Sequence, residues 1–295
     1  MVLVVFLLAY VTRQRLDRLG LLSSDDLWRS WLHIGTRSKA GKEGSLFVGL
    51  LLVLGPAVLL GALVLAAGYG GIRVVVYPME LIVLVLMMGV PGWRPILEAY
   101  TEAWSRGDMQ GAWHHIEDRL PEDERGSAQS AEVMHLSVSR ALMVSVFERF
   151  FLVVFWYVVG GIWLAVIARG LVALAEQWPQ PAARQRFAIA ADIMAWVPSR
   201  LLACTFGVAG DLAGWSRSIR LVVPGLGKPT DNVLMTAASG SLTGYALDPE
   251  RFGQVYADDW PKFGGRSIRA MRDLLSRSML VWICAIALLV IAGIV

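Results

Sequence analysis

The 295-residue chain has 56% apolar and 17% charged side chains and a mean hydropathy of +0.56, which excludes an ordinary soluble domain and reads as an integral membrane protein. Its formal charge of +3 and pI near 9.0 do not indicate nucleic acid, because the basic residues flank apolar runs instead of forming one patch. The two cysteines, Cys204 and Cys284, lie inside apolar stretches and read as core thiols, so neither a disulfide framework nor a CxxC metal site is expected.

In chain order, the run Met1 to Val11 comes first; it rises only about 16 Å as a helix, enough to enter a bilayer but hardly to cross it. Its arginines follow the apolar run and no small-residue cleavage site is present, the reverse of a secretory signal, so it is expected to be retained. The tract Thr12 to Gly44 is basic (Arg13, Arg15, Arg18, Arg29, Arg37, Lys39, Lys42). Its "GTRSKAGKEG" fails as a phosphate loop, since the glycine spacing is one residue too long and Glu43 stands where Ser or Thr would hold magnesium. Ser45 to Ala67 is an uncharged run that predicts a spanning helix, Pro56 being tolerable there. After a tight turn at "GYGG", a second span is predicted over Ile72 to Val90, with Arg73 at its start and Glu80 inside it.

The turn at Gly68 to Gly71 is almost uncharged, so the positive-inside rule places Thr12 to Gly44 in the cytoplasm, and Gly92 to Arg140 follows it there as a helical insertion. Within that insertion His114 and Asp118 share a helical face, but two ligands read more simply as a solvated surface than as a metal site. A third span is predicted over Arg149 to Ala168, continuing backward through "SRALMVSVFE" in one register, and a fourth over Trp196 to Leu212. The tract Gly214 to Ser278 is polar, and its side of the membrane is not fixed by charge. The last apolar run is Met279 to Val295. The expected fold is therefore all-α: one polytopic membrane domain over 1–295 with four to six membrane elements and a cytoplasmic helical subdomain at 92–140.

Several polar residues sit where they need an explanation. Glu80 lies inside an apolar span, either at an interface near Pro78 or paired. Glu148 and Arg149, at the mouth of the third span, are either interface charges or site residues. "YVVGG" at Tyr157 to Gly161 reads as close helix packing. Arg200 follows Pro198, which suits the first turn of a fresh helix. Its guanidinium either snorkels or forms a buried fork on a carboxylate or an anionic ligand, with Asp192 and Glu80 as protein partners; the Trp196 and Pro198 just before it favour the fork.

"WVPSRL" at Trp196 to Leu201, with Asp192 before it, resembles the signature helix shared by AmpE proteins and the cobalamin-biosynthesis proteins CobD/CbiB. "RGDMQGAW" (Arg106 to Trp113), "SRALMVSVFERFF" (Ser139 to Phe151), "FWYVVGG" (Phe155 to Gly161) and "ASGSLTG" (Ala238 to Gly244) are similar to further motifs in the same order. The resemblance covers about Glu98 to the C-terminus. CobD/CbiB enzymes are implied to join an aminopropanol-type group to adenosylcobyric acid with ATP and magnesium. Their E-N-x-x-D-G motif, followed by N-x-x-D, corresponds here to Glu148, Arg149, Leu152 and Val153, then Val172 and Ala175, so only the glutamate remains. Their N-terminal GDP and HPV elements are missing, although His33 lies in the neighbourhood.

The chain therefore resembles the AmpE branch more, which implies a bacterial inner-membrane, multi-pass protein that modulates β-lactamase induction. The expected role is non-enzymatic and regulatory. It involves an anionic or amphiphilic small molecule in a polar pocket of Glu80, Glu148, Arg149, Asp192, Trp196 and Arg200, with no cofactor, no metal and no catalytic residue. Partners would be the bilayer, a second copy of the chain or a cytosolic regulator, but no nucleic acid. The alternatives are a CobD/CbiB-type transferase and a small transporter, the latter weakened by the lack of paired Gly/Pro-broken repeats.

Overall fold

An apolar run in a bilayer must satisfy its backbone polar groups within itself, and helix is the local solution. The computed structural model describes residues 1–19, 24–36, 46–71, 73–89, 92–120, 124–125, 130–222 and 228–294, and among these there is no strand. The helices are α1 (Val2–Leu19), α2 (Ser24–Thr36), α3 (Leu46–Tyr69), α4 (Arg73–Met87), α5 (Trp93–Ser105), α6 (Met109–Ile116), α7 (Ala131–Val146), α8 (Leu152–Gly160), α9 (Ile162–Gln177), α10 (Pro181–Ala209), α11 (Leu212–Val222), α12 (Thr230–Ser241), α13 (Pro249–Val255) and α14 (Trp260–Ile291). A π-helical turn, Phe147–Phe151, joins α7 to α8 without a break. Among the described residues four stretches are long and apolar enough to cross a membrane: Leu46–Tyr69, Ala131–Gly160, Pro181–Ala209 and Ala257–Ile291, with Val74–Met87 shorter. On α3 the side chains of Phe47, Leu51, Val58, Leu59 and Leu65 are exposed, as lipid-facing residues are. The chain is an all-α, multi-pass membrane protein.

Its residues fall into two compact units. One comprises Met1–Pro91, Val146–Pro198 and Ile286–Val295; the other comprises Gly92–Ser145 and Ser199–Ala285.

In the first unit α9 is the central helix, packed on α2, α3, α4 and α8. Gly170 lets α3 come close, since a Cβ there would meet the Val53 side chain at 2.5 Å. The run predicted as a single third span is broken. Gly161 takes φ 87°, ψ −174°, so α8 ends and α9 folds back against it as a hairpin. Side chains avoid that backbone region, and the helical continuation from Arg149 to Ala168 is lost there. Gly161→Ala is expected to cost about 1–3 kcal/mol, measured as unfolding of the detergent-solubilised protein. The nearest atom to an added Cβ, on Trp163, is 3.8 Å away, so the loss is one of backbone strain. Gly55→Ala, in open space on α3, should cost nothing.

Besides Pro78 in α4, two prolines lie inside helices of this unit, Pro56 in α3 and Pro198 in α10. Each lacks an N–H and frees the carbonyl four residues earlier. Both carbonyls are taken by an indole from another helix: Trp31 Nε1 donates to Leu52 O at 3.0 Å, and Trp156 Nε1 to Met194 O at 3.1 Å. That answer from outside is why α10 runs unbroken from Pro181 to Ala209, instead of starting afresh at Pro198 as the sequence predicts.

The second unit is built on an aromatic core with one polar thread. His135 of α7, fully buried, lies against Trp104 and Phe263. Its Nδ1 is 2.9 Å from the Tyr100 hydroxyl and its Nε2 2.7 Å from Ser267 Oγ. Burial raises the Tyr100 phenol above the usual tyrosine range, keeping it protonated. In the same unit the end of α10 and the middle of α14 run antiparallel. Arg277 Nη1 donates to Ala209 O at 3.1 Å, and Trp282 Nε1 to Thr205 Oγ1 at 3.0 Å.

Candidate functional site

The α8–α9 hairpin brings together charges that are far apart in sequence. Glu148 and Arg149 sit on the π-helical turn, a feature that recurs at functional positions. Opposite them, α9 presents Arg169 and Glu176, seven residues apart and so on one helical face. Arg149 Nη2 lies 3.5 Å from Glu176 Oε1, and Arg169 Nη1 lies 3.7 Å from Glu176 Oε2. Each oxygen of one carboxylate thus faces its own guanidinium. The Arg169 side chain is 0% exposed, that of Arg149 10% and that of Glu176 34%, so the network runs from the interior to the surface. Half-buried Glu148 lies within electrostatic reach of Glu176, Arg149, Arg169 and Asp192. Glu148, Glu176 and two guanidiniums therefore share one end of the hairpin, with Asp192 of α10 within electrostatic reach of Glu148.

Of the residues singled out from sequence, Glu148, Arg149 and Asp192 meet here. Glu80 of α4 accepts a hydrogen bond from the Tyr157 hydroxyl of α8 at 3.1 Å, two helical turns beyond Arg149. Trp196 follows Asp192 by one turn of α10 and is 39% exposed. Arg200 belongs to the second unit. It is half-buried and donates to the carbonyl of Lys228 and to Ser199 Oγ, both at 3.2 Å. Arg169 and Glu176 were not anticipated. Their signal is in the sequence as two charges seven apart in the apolar "ARGLVALAEQ", a spacing that aligns them across two turns.

His114 pairs with Glu117 at 2.9 Å on an exposed face. The stretch 37–45, which holds most of the phosphate-loop lookalike, lies outside the described residues. Among the described residues, no three His, Cys, Asp or Glu side chains are grouped so as to share a metal. Gln177 Oε1 and Trp178 Nε1, next in sequence to Glu176, are buried with no hydrogen-bond partner among the described residues.

Compared with known proteins, the chain matches no protein-family model and no solved structure. It is 30% identical over 189 residues to the cobalamin biosynthesis protein CobD of Stutzerimonas stutzeri (strain A1501), a match covering 59% of this chain and 60% of that protein. The chain thus spans less than two thirds of that relative's length. The similarity supports a distant relation to the CobD/CbiB proteins and does not bear on AmpE.

Proposed function

We propose that the chain is a non-enzymatic, AmpE-type regulatory protein of the bacterial inner membrane. In this reading the framework it shares with CobD-like proteins holds an anionic or amphiphilic small molecule. The observation that carries the proposal is the pairing at the hairpin site, where two guanidiniums already engage Glu176. Magnesium takes oxygen ligands and keeps several waters, but both oxygens of Glu176 face arginines. A metal there would be a third cation and would have to displace two guanidiniums from Glu176, so this paired carboxylate does not fit the metal that cobalamin-type transfer requires. An anionic headgroup or carboxylate fits them better, with Arg149 and Arg169 as forked donors. The buried, unsatisfied Gln177 and Trp178 atoms would gain from a polar ligand, since each such atom costs about 1–3 kcal/mol. Glu148, Asp192, Trp196 and Glu80 are the further residues we assign to this pocket. Arg200, which lies in the other unit, is not among them. The tracts Thr12 to Gly44 and Gly92 to Arg140 face the cytoplasm in this reading.

The CobD relative favours a second reading, a surviving cobinamide-phosphate synthase. Complementation separates the two. Expressed in a strain lacking its own synthase and grown where cobalamin is required, this chain is expected to give no growth. Growth restored by it, and lost on Glu148→Gln, would establish the enzyme and end the regulatory reading.

A further inference from the structure

Helix α14 changes character along its length. From Ser278 onward it is apolar, and Leu280, Leu288 and Ile291 are exposed, as on a lipid-facing helix. Before Ser278 it is cationic on one side. Phe263, Ser267, Met271, Leu274 and Ser278 are buried and repeat at helical spacing on one face. Lys262, Arg266, Arg269, Arg272 and Arg277 are exposed on the opposite face.

The cations divide into two groups. Lys262 and Arg266 are already answered by Asp259, at 2.8 and 3.2 Å. The three nearest the apolar half are not: among the described residues Arg269, Arg272 and Arg277 have no ion-pair partner. Arg269 Nε donates to Gly265 O, and Arg277 to the carbonyls of Asp273 and Ala209. Asp273 is the single acid in this stretch and is exposed.

The level of these arginines follows from packing. Arg277 reaches the last residue of α10, itself a candidate span, and Trp282 reaches Thr205 one turn earlier on it. In a bilayer crossed by α10 and by the apolar half of α14, the end of α10 and Ser278 lie at the same level. Arg272 and Arg269 stand about 9 and 13 Å above Ser278 along the axis. That is within a headgroup layer of about 5–7 Å plus one Debye length of about 8 Å.

We propose that the arginine face of α14, Arg269, Arg272 and Arg277, binds anionic phospholipid headgroups of the leaflet that the helix enters. Each juxtamembrane cation strengthens such association by a factor of roughly five. This binding is independent of the pocket assigned to the hairpin.

The test uses the full-length protein reconstituted in phosphatidylcholine vesicles with a trace of spin-labelled lipid. Its readout is the relative association of spin-labelled phosphatidylglycerol over phosphatidylcholine. Wild type is expected to prefer phosphatidylglycerol several-fold, and molar salt should reduce that preference. Arg269→Gln with Arg272→Gln, which leaves the Arg277 contact to α10 intact, should cut the preference to the residual share of Arg277, whereas Arg→Lys at both positions should retain it. A wild type without preference, or a double Gln variant with the wild-type preference, would overturn the proposal. So would loss of the preference to inorganic phosphate at constant ionic strength, since the face would then be a free-phosphate site.

Discussion

Replacing Arg169 by methionine should destabilise the protein by about 3–5 kcal/mol, the scale seen when one partner of a buried ion pair is removed. Arg169 is 0% exposed and lies 3.7 Å from Glu176. Without it, Glu176 loses one of the two guanidiniums that face its carboxylate. Methionine fills similar space, so the loss is one of charge and not of packing. Arg169→Met combined with Glu176→Gln removes both signs and should recover a large part of the loss, because the two residues act as one unit. Unfolding of detergent-solubilised protein, with the yield in membranes, reads both. A single variant that loses less than about 1 kcal/mol would show that the network is already well solvated.

Trp156→Phe should cost about 1–3 kcal/mol, since it leaves the Met194 carbonyl without the donor that Pro198 cannot supply. In a Pro198→Ala background the residue at 198 regains its N–H and can bond Met194 O within the helix. The same tryptophan change should then cost only its packing share. The lost indole volume is common to both backgrounds and cancels, so the difference between them isolates the hydrogen bond. Equal costs in the two backgrounds would mean that the indole does nothing for the proline.

The same bond shows what was legible in the sequence. The uncharged run Ser45 to Ala67 became α3, Leu46–Tyr69, almost residue for residue, because its own apolarity decides its state. The long helix leading backward from Arg149 was also legible, since α7, the π-helical turn and α8 follow without a break, although the π-helical turn shifts the single register that the sequence implied. The continuity of α10 was not. It depends on Trp156, 38 residues before the carbonyl it satisfies, and a local reading sees only that proline suits a helix start. The break at Gly161 was hidden for another reason. "GG" in an apolar run serves close packing as readily as a turn, and only the backbone angles distinguish them. At the site, Glu148 and Arg149 stood out as charges at the mouth of a span, whereas Arg169 and Glu176 fell at and beyond its predicted end.

His135 carries a consequence for the order in which the protein can be completed. Its Nδ1 partner, Tyr100, precedes it, but its Nε2 partner, Ser267, follows 132 residues later. At synthesis rates of about 5–20 residues per second, that interval lasts roughly 7–26 seconds. Throughout it, α7 holds an imidazole whose second nitrogen has yet to meet its hydroxyl, while α8, α9 and α10 are being made. The aromatic core of the second unit therefore closes late, on arrival of the final helix, and a ribosome stalled before Ser267 would release a chain with that core unsealed.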